Sequence, residues 1–224
     1  IKGPWIQEDQ PIYSDDGGHA MVFEKDGQKI ITFHAPNNNG SFLQAYALQK
    51  TLLDKIGVDN EIIDFRSEKQ TNQYKTFRPI RSRNDLFKNI VALPHYKSLN
   101  RRYEKFENMR NKFLRKTRCF VLEDDAINQA NNYDVVIAGS DQIWNTGAPD
   151  FSKVYFLPNL KTKKVSYAVS CGSIANSTAL EKYRNEINNF DKISVRESMV
   201  KNKLSTIYNG SIQIVLDPTL LLQK

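Results

Sequence analysis

Four short polar clusters carry the residue types that bind hydroxyls, phosphates and carboxylates. They are His34 to Ser41, Gly139-Ser140-Asp141-Gln142, Ser170-Cys171-Gly172-Ser173 and Arg196-Glu197-Ser198. In the first, Asn38, Asn39, Gly40 and Ser41 lead into an amphipathic stretch. The unpaired N–H groups of a helix start would there meet an anion or a sugar hydroxyl. In the second, a small turn of Gly139 and Ser140 presents Asp141 and Gln142, which can hydrogen-bond a polyol; Asp141 suits a simple turn cap equally well. Arg196 can fork onto a phosphate or a carboxylate, or pair with Glu197 or Asp217. His34 fits a satisfied strand end better than a general base. Cys171 is of a nucleophilic type, yet spacing sets neither His34 nor His95 beside it, so a buried structural thiol is the simpler reading. Trp144 reads first as a packing residue and only second as a platform for a sugar ring.

Each cluster ends a run that reads as a buried strand. The runs are KIITFH (29–34), YDVVIAGS (133–140), VSYAVSCGS (165–173) and KISVRE (192–197), joined by EIIDF (61–65) and IQIVLDP (212–218). Ser41 is expected to cap a helix over 41–56, with Phe42, Leu43, Tyr46, Ala47, Leu48, Leu52, Leu53 and Ile56 on one apolar face and Gly57 ending it. Strand, helix and strand within 29–65 make a right-handed βαβ unit. Further helices are expected at 84–93, 98–116, 179–190 and 198–206, with Tyr103, Phe106, Met109, Phe113 and Leu114 sharing the inner face of the second. The alternation predicts an α/β fold with a Rossmann-like parallel sheet, whose ligands bind at the carboxyl ends of the strands. Residues 1–28 differ in style. Turn signals at Gly3-Pro4, Asp16-Gly17-Gly18 and Asp26-Gly27 separate short apolar pieces, predicting a short β-hairpin-like N-terminal extension.

At 224 residues the chain can bury a core. Its mean hydropathy of −0.56 and the lack of an apolar run of about 20 residues argue against a membrane span. Three scattered histidines and two cysteines make no metal-ligand cluster. Neither a GxGxxG after a strand nor a GxxxxGK[ST] occurs, so no nucleotide cofactor is indicated. Reduced thiols fit a cytoplasmic protein. The net charge is +7, yet residues 66–118 alone hold sixteen basic side chains and four acidic ones. Such a stretch is either a solvated helical face or a surface for an anionic partner. With its aromatics read as core-facing, nucleic acid is not expected.

Residues 29–222 resemble the N-terminal half of the polysaccharide pyruvyl transferase family. The resemblance rests on KIITFH–NNNGSFLQAYALQKTL, EIIDFR, YDVVIAGSDQIWN, YFLP, KVSYAVSCGS, KISVRE and VLDPTLLL. It implies one half of a GT-B-like fold over 29–224, with a basic helical insertion at 66–118. It also implies transfer of pyruvate from phosphoenolpyruvate, a co-substrate, to hydroxyls of a polysaccharide precursor, forming a ketal and releasing phosphate. Cys171 stands where many members carry Phe. Members usually continue into a second domain with a histidine-containing donor site, so on this resemblance the chain holds the acceptor side and one edge of the cleft. Residues 1–37 resemble the C-terminal end of a family 43 glycoside hydrolase, with His19 matching a histidine near the propeller centre. The carboxylate pair that such hydrolysis needs lies on earlier blades, so hydrolase activity is not expected. KIITFHAPN fits both families and marks the expected junction.

Ketal formation from an enol phosphate requires protonation of the enol carbon, attack by sugar hydroxyls, and stabilisation of the leaving phosphate. Asn38, Asn39, Gly40, Ser41, Ser140, Asp141 and Gln142 are the expected acceptor-binding residues, and Arg196 the donor-binding one. No residue is assigned as the general acid. The acceptor is expected to be a nucleotide- or lipid-linked glycan, with peripheral contact at the membrane face. Two other readings stay open: a non-catalytic glycan- or polyanion-binding module, and an inactive truncated or chimeric fragment.

Overall fold

The computed structural model describes residues 28–33, 39–74, 77, 79–80, 82–172 and 177–222. The N-terminal extension with His19, together with His34, Asn38 and Ser173, lies outside them. Five short strands form a parallel sheet: β1 (Ile30–Phe33), β2 (Asn60–Phe65), β3 (Lys116–Phe120), β4 (Val135–Ala138) and β5 (Lys163–Ser166), in the order β3-β2-β1-β4-β5. β1 and β4 are buried along their whole length, as expected of a central parallel sheet covered on both faces. A parallel pair, β6 (Ile193–Val195) and β7 (Ile212–Ile214), continues beside β5. The join is made by bridges Val165–Lys192 and Val169–Val195 and by the crossed hydroxyls of Ser166 and Ser194, with Ser194 Oγ donating to the Ser166 carbonyl at 2.8 Å. The chain winds outward from β1 to β3, then crosses back to β4. The switch point, where open sheets of this kind bind ligands, therefore lies between β1 and β4.

The first helix, α1 (Asn39–Thr51), begins two residues before Ser41, which is buried within its first turn rather than capping it. It runs on as a π turn over Leu52–Ile56 and stops at Gly57, whose φ of 73° only glycine adopts freely. Its buried side holds Phe42, Ala45, Ala47, Leu48 and Leu52, whereas Leu43 and Leu53 are exposed. The expected apolar face was too wide by those two residues, because Gln44 and Gln49 also turn inward to make polar contacts. Gln49 bridges two layers: its Nε2 donates to the Arg115 carbonyl and its Oε1 accepts from the Arg115 N–H, at 2.8 and 2.9 Å.

The stretch between β2 and β3 holds α2 (Glu68–Tyr74), α3 (Arg83–Ala92) and α4 (Tyr96–Phe113). Ser82 caps α3 by accepting from the Asp85 N–H. The expected helix 98–116 ends earlier, because Leu114 turns extended and the charged run KTRCF becomes an edge strand, β3. Cations on an edge discourage pairing with another sheet. On α4, Phe106 and Met109 pack toward Phe42 and Leu114, but Tyr103 and Phe113 are exposed, so the aromatics are not all core-facing. The remaining helices are α5 (Glu123–Ala130), α6 (Ser177–Glu181), α7 (Arg184–Asn188) and α8 (Ser198–Leu204). α5 was not foreseen, and the expected helix 179–190 is broken into α6 and α7.

Part of the basic charge is spent inside the fold. Asp64, buried on β2, accepts from Arg66, Arg110 and Lys116 at 2.8–2.9 Å, and Arg66 also reaches Glu107 at 2.8 Å. Burial alone would raise the Asp64 pKa, but the three cations hold it well below the usual carboxylate range.

Candidate functional site

The loop after β4 is built on close backbone approach. Gly139 has φ of 120°, and a Cβ there would lie 2.2 Å from the Tyr167 carbonyl oxygen and 2.9 Å from Val169 Cγ1. The Gly139–Ser140 peptide is cis, and Asp141 follows at φ of 85°, a region costly for any residue with a side chain. Neighbouring loops hold it there. Asp141 bridges to Val169, and its carbonyl accepts from the Ser170 N–H at 3.0 Å. Trp144 anchors the far end of the loop. It is fully buried, stacks on Phe156 at 5.3 Å, meets Phe190 edge-on, and donates from Nε1 to the Tyr155 carbonyl at 3.0 Å. It is a core residue, not a sugar platform.

Cys171 is likewise buried, and burial raises its thiol to about 12, which leaves no thiolate for nucleophilic work. Gly172 has φ of 69°, and a Cβ there would press on Asn145 Nδ2 and Gln142 Oε1, so this loop closes directly on the Asp141-Gln142 loop.

Arg196, just past β6, ties three loops together. Its Nη1 donates to Asp217 at 2.8 Å and its Nε to Glu197 at 2.9 Å, while Nη2 stands 3.9 Å from Asp141. Both pairings weighed from the sequence are therefore made. Asp217 also accepts from the Thr219 backbone and hydroxyl and from Gln44 Nε2 on α1. Burial works to raise the Asp217 pKa, but these donors outweigh it and hold the carboxyl below its usual value. Gln44, Asp217, Arg196 and Asp141 thus form one polar chain from α1, beside the β1 end, across to the loop after β4.

Three buried atoms at this edge have no hydrogen-bond partner: Gln44 Oε1, Ser140 Oγ and Glu197 Oε2. Such atoms are costly unless something satisfies them. Beside Asp141 and Gln142 opens a pocket of about 240 Å³, further lined by Gln70, Asp150, Phe151 and Tyr155. Gln70 Nε2 bonds the Asp150 carbonyl and the Tyr155 hydroxyl at 2.9 and 3.1 Å, which fixes the back wall.

The structure brings Ser140, Asp141 and Arg196 together, with Gln142 on the same loop. Asn39, Gly40 and Ser41 open α1 at the β1 side of the switch point. Sequence reasoning missed Gln44 and the pocket residues Gln70 and Asp150. For Gln44 a signal was present: a polar side chain one turn past Ser41 on a helix whose neighbours are apolar. Among the described residues, no three of His, Cys, Asp and Glu are grouped to hold a metal ion. Asp141, Glu197 and Asp217 converge on a guanidinium instead.

The fold and this edge define a Rossmann-like α/β protein whose polar site sits at the carboxyl ends of β1, β4, β6 and β7. The family profile for polysaccharide pyruvyl transferase matches residues 38–224, and the chain belongs to that family. No curated protein and no solved structure matches it.

Proposed function

We propose that this protein belongs to the acceptor side of a reaction that moves pyruvate from phosphoenolpyruvate to two hydroxyls of a polysaccharide precursor. The observation that carries the reading is the carboxylate- and amide-rich edge around Asp141, within a chain of pyruvyl transferase family membership. Sugar hydroxyls are donors that satisfy carboxylate and amide oxygens, and Asp141, Gln142 and Asp150 offer them beside one pocket. Asn39, Gly40 and Ser41 at the start of α1, Ser140 on the loop after β4, and Asn38 complete this acceptor side.

Arg196 is the donor-side cation. Its ion pairs with Asp217 and Glu197 keep it placed, and contact with the donor phosphate is made through Nη2, the nitrogen outside those two bonds. In the transfer, two sugar O–H bonds break. One proton goes to the enol carbon, which becomes a methyl group, and the other leaves with phosphate. Two C–O bonds form at the central carbon as its bond to the phosphate oxygen breaks. The cations of 66–118 draw in an acceptor carrying phosphate, nucleotide- or lipid-linked, at the cytoplasmic membrane face.

The test is phosphate release from phosphoenolpyruvate with a panel of nucleotide- and lipid-linked sugars, with the product read by mass as acceptor plus pyruvate less water. The 224-residue chain is run beside a longer product of its reading frame. Ketal formation in either supports the reading, and formation in the longer one alone places the donor site outside this chain. Silence in both folded proteins, with glycan binding retained, replaces it by a binding module.

A further inference from the structure

The helical stretch from Arg83 to Arg102 exposes apolar side chains where a soluble surface helix shows polar ones. α3 has no buried residue at all. Leu86, Phe87, Ile90 and Val91 lie on it at spacings of one, three, four and five residues, forming one broad stripe, and all are exposed, Phe87 by 68%. Leu93 and Tyr96 extend this apolar surface through the turn into α4, where Tyr96 stacks on Phe77 at 5.3 Å. Contiguous exposed apolar surface of this kind marks a contact site.

The same stretch carries Arg83, Lys88, Lys97, Arg101 and Arg102 against a single acid, Asp85. None of the five cations forms an ion pair among the described residues. They differ in this from Arg66, Arg110 and Lys116, which are spent on Asp64. Aromatic and aliphatic residues beside unspent cations, on a helix without a buried residue and the exposed first turn of the next, have the composition of an interfacial segment. Such a segment lies in the headgroup plane and adds apolar insertion to attraction for anionic lipid. No helix of the described residues is long and apolar enough to cross a membrane, so the contact is peripheral.

We propose that α3 and the start of α4 form a membrane-docking face that inserts Phe87 and Ile90 into an anionic phospholipid surface. This goes beyond electrostatic attraction of a charged acceptor, and it is read without turnover, so it stands or falls separately from the transferase reading.

The test is co-sedimentation of the full chain with vesicles of phosphatidylglycerol mixed into phosphatidylcholine, and with phosphatidylcholine alone. Binding to the anionic vesicles is expected, weakening with salt. The double variant F87S/I90S, altered only at exposed positions, is expected to lose about tenfold or more in affinity. K97E/R101E is expected to lose a similar amount and most of the salt dependence. A Phe87→Trp variant is expected to shift its emission to the blue on anionic vesicles. Equal binding to neutral vesicles overturns the proposal, as does full binding by F87S/I90S. Self-association of the wild type without lipid, abolished in F87S/I90S, also overturns it by assigning the face to a second copy of the chain.

Discussion

Asp217 accepts from Arg196 Nη1 at 2.8 Å and from Gln44 Nε2, so one carboxylate after β7 joins the loop after β6 to helix α1. Its second oxygen is held by the Thr219 backbone and hydroxyl. The contact spans 173 residues of sequence on one side and 21 on the other. It sets where Arg196 stands relative to Asp141, and through it the β1 and β4 sides of the switch point share one polar network.

Removing that carboxylate should loosen the site more than the fold. Asp217 is partly exposed, so Asp217→Asn is expected to cost only about 1–2 kcal/mol of stability. Ketal formation is expected to fall by about a hundredfold, since misplacement near 1 Å can cost that much. Thermal denaturation and turnover on the same preparation separate the two effects.

Gly139 is fixed by backbone, not by a flexible neighbour. Gly139→Ala puts a methyl group against the Tyr167 carbonyl at a φ of 120°. The variant is expected to lose about 2–4 kcal/mol and to displace the Asp141-Gln142 loop. Chemical denaturation measures the first and acceptor binding the second.

Trp144 carries the other end of the same loop. Trp144→Ala leaves a void among Phe156, Phe190 and Tyr155 and strands the Tyr155 carbonyl. A loss of about 3–5 kcal/mol is expected. Trp144→Phe, which keeps much of the volume, should cost less. Urea midpoints for the two variants check the order.

Asp64 makes stability depend on acid. Its folded pKa lies below the unfolded value of about 3.9. Between those two values the unfolded chain binds more protons, so stability rises with pH there. Its contribution is complete above roughly pH 5 and is lost as pH falls through the folded pKa. Asp64→Asn should cost about 3–5 kcal/mol at neutral pH, because Arg66, Arg110 and Lys116 lose their shared partner. The variant's stability should also vary less with pH below 5. Denaturation midpoints for both proteins from pH 3 to 7 test this.

The central strands were readable because β1 and β4 are continuous buried runs rich in β-branched residues, and Gly57 and Gly139 supply glycine where φ is positive. β3 was hidden by its own composition: KTRCF is charged, as an edge strand can be, and it sits inside a basic stretch that reads as helix. The polar loops after β4, β5 and β6 were legible as a set because parallel strands end on one edge. What joins them was not. Gln44 meets Asp217 only through the folded topology, and the unspent cations of α3 cannot be told in sequence from Arg66 or Arg110, which Asp64 neutralises.

The most direct test of the account is a steady-state comparison of Asp141→Asn and Arg196→Gln, with phosphoenolpyruvate and acceptor varied separately, in whichever form of the protein turns over. Asp141→Asn should raise KM for the acceptor about tenfold or more and leave KM for phosphoenolpyruvate near that of the wild type. Arg196→Gln should do the reverse and also lower kcat. Wild-type kinetics in Asp141→Asn, or equal effects of both variants on both substrates, would contradict the assignment of this edge to the acceptor and of Arg196 to the donor.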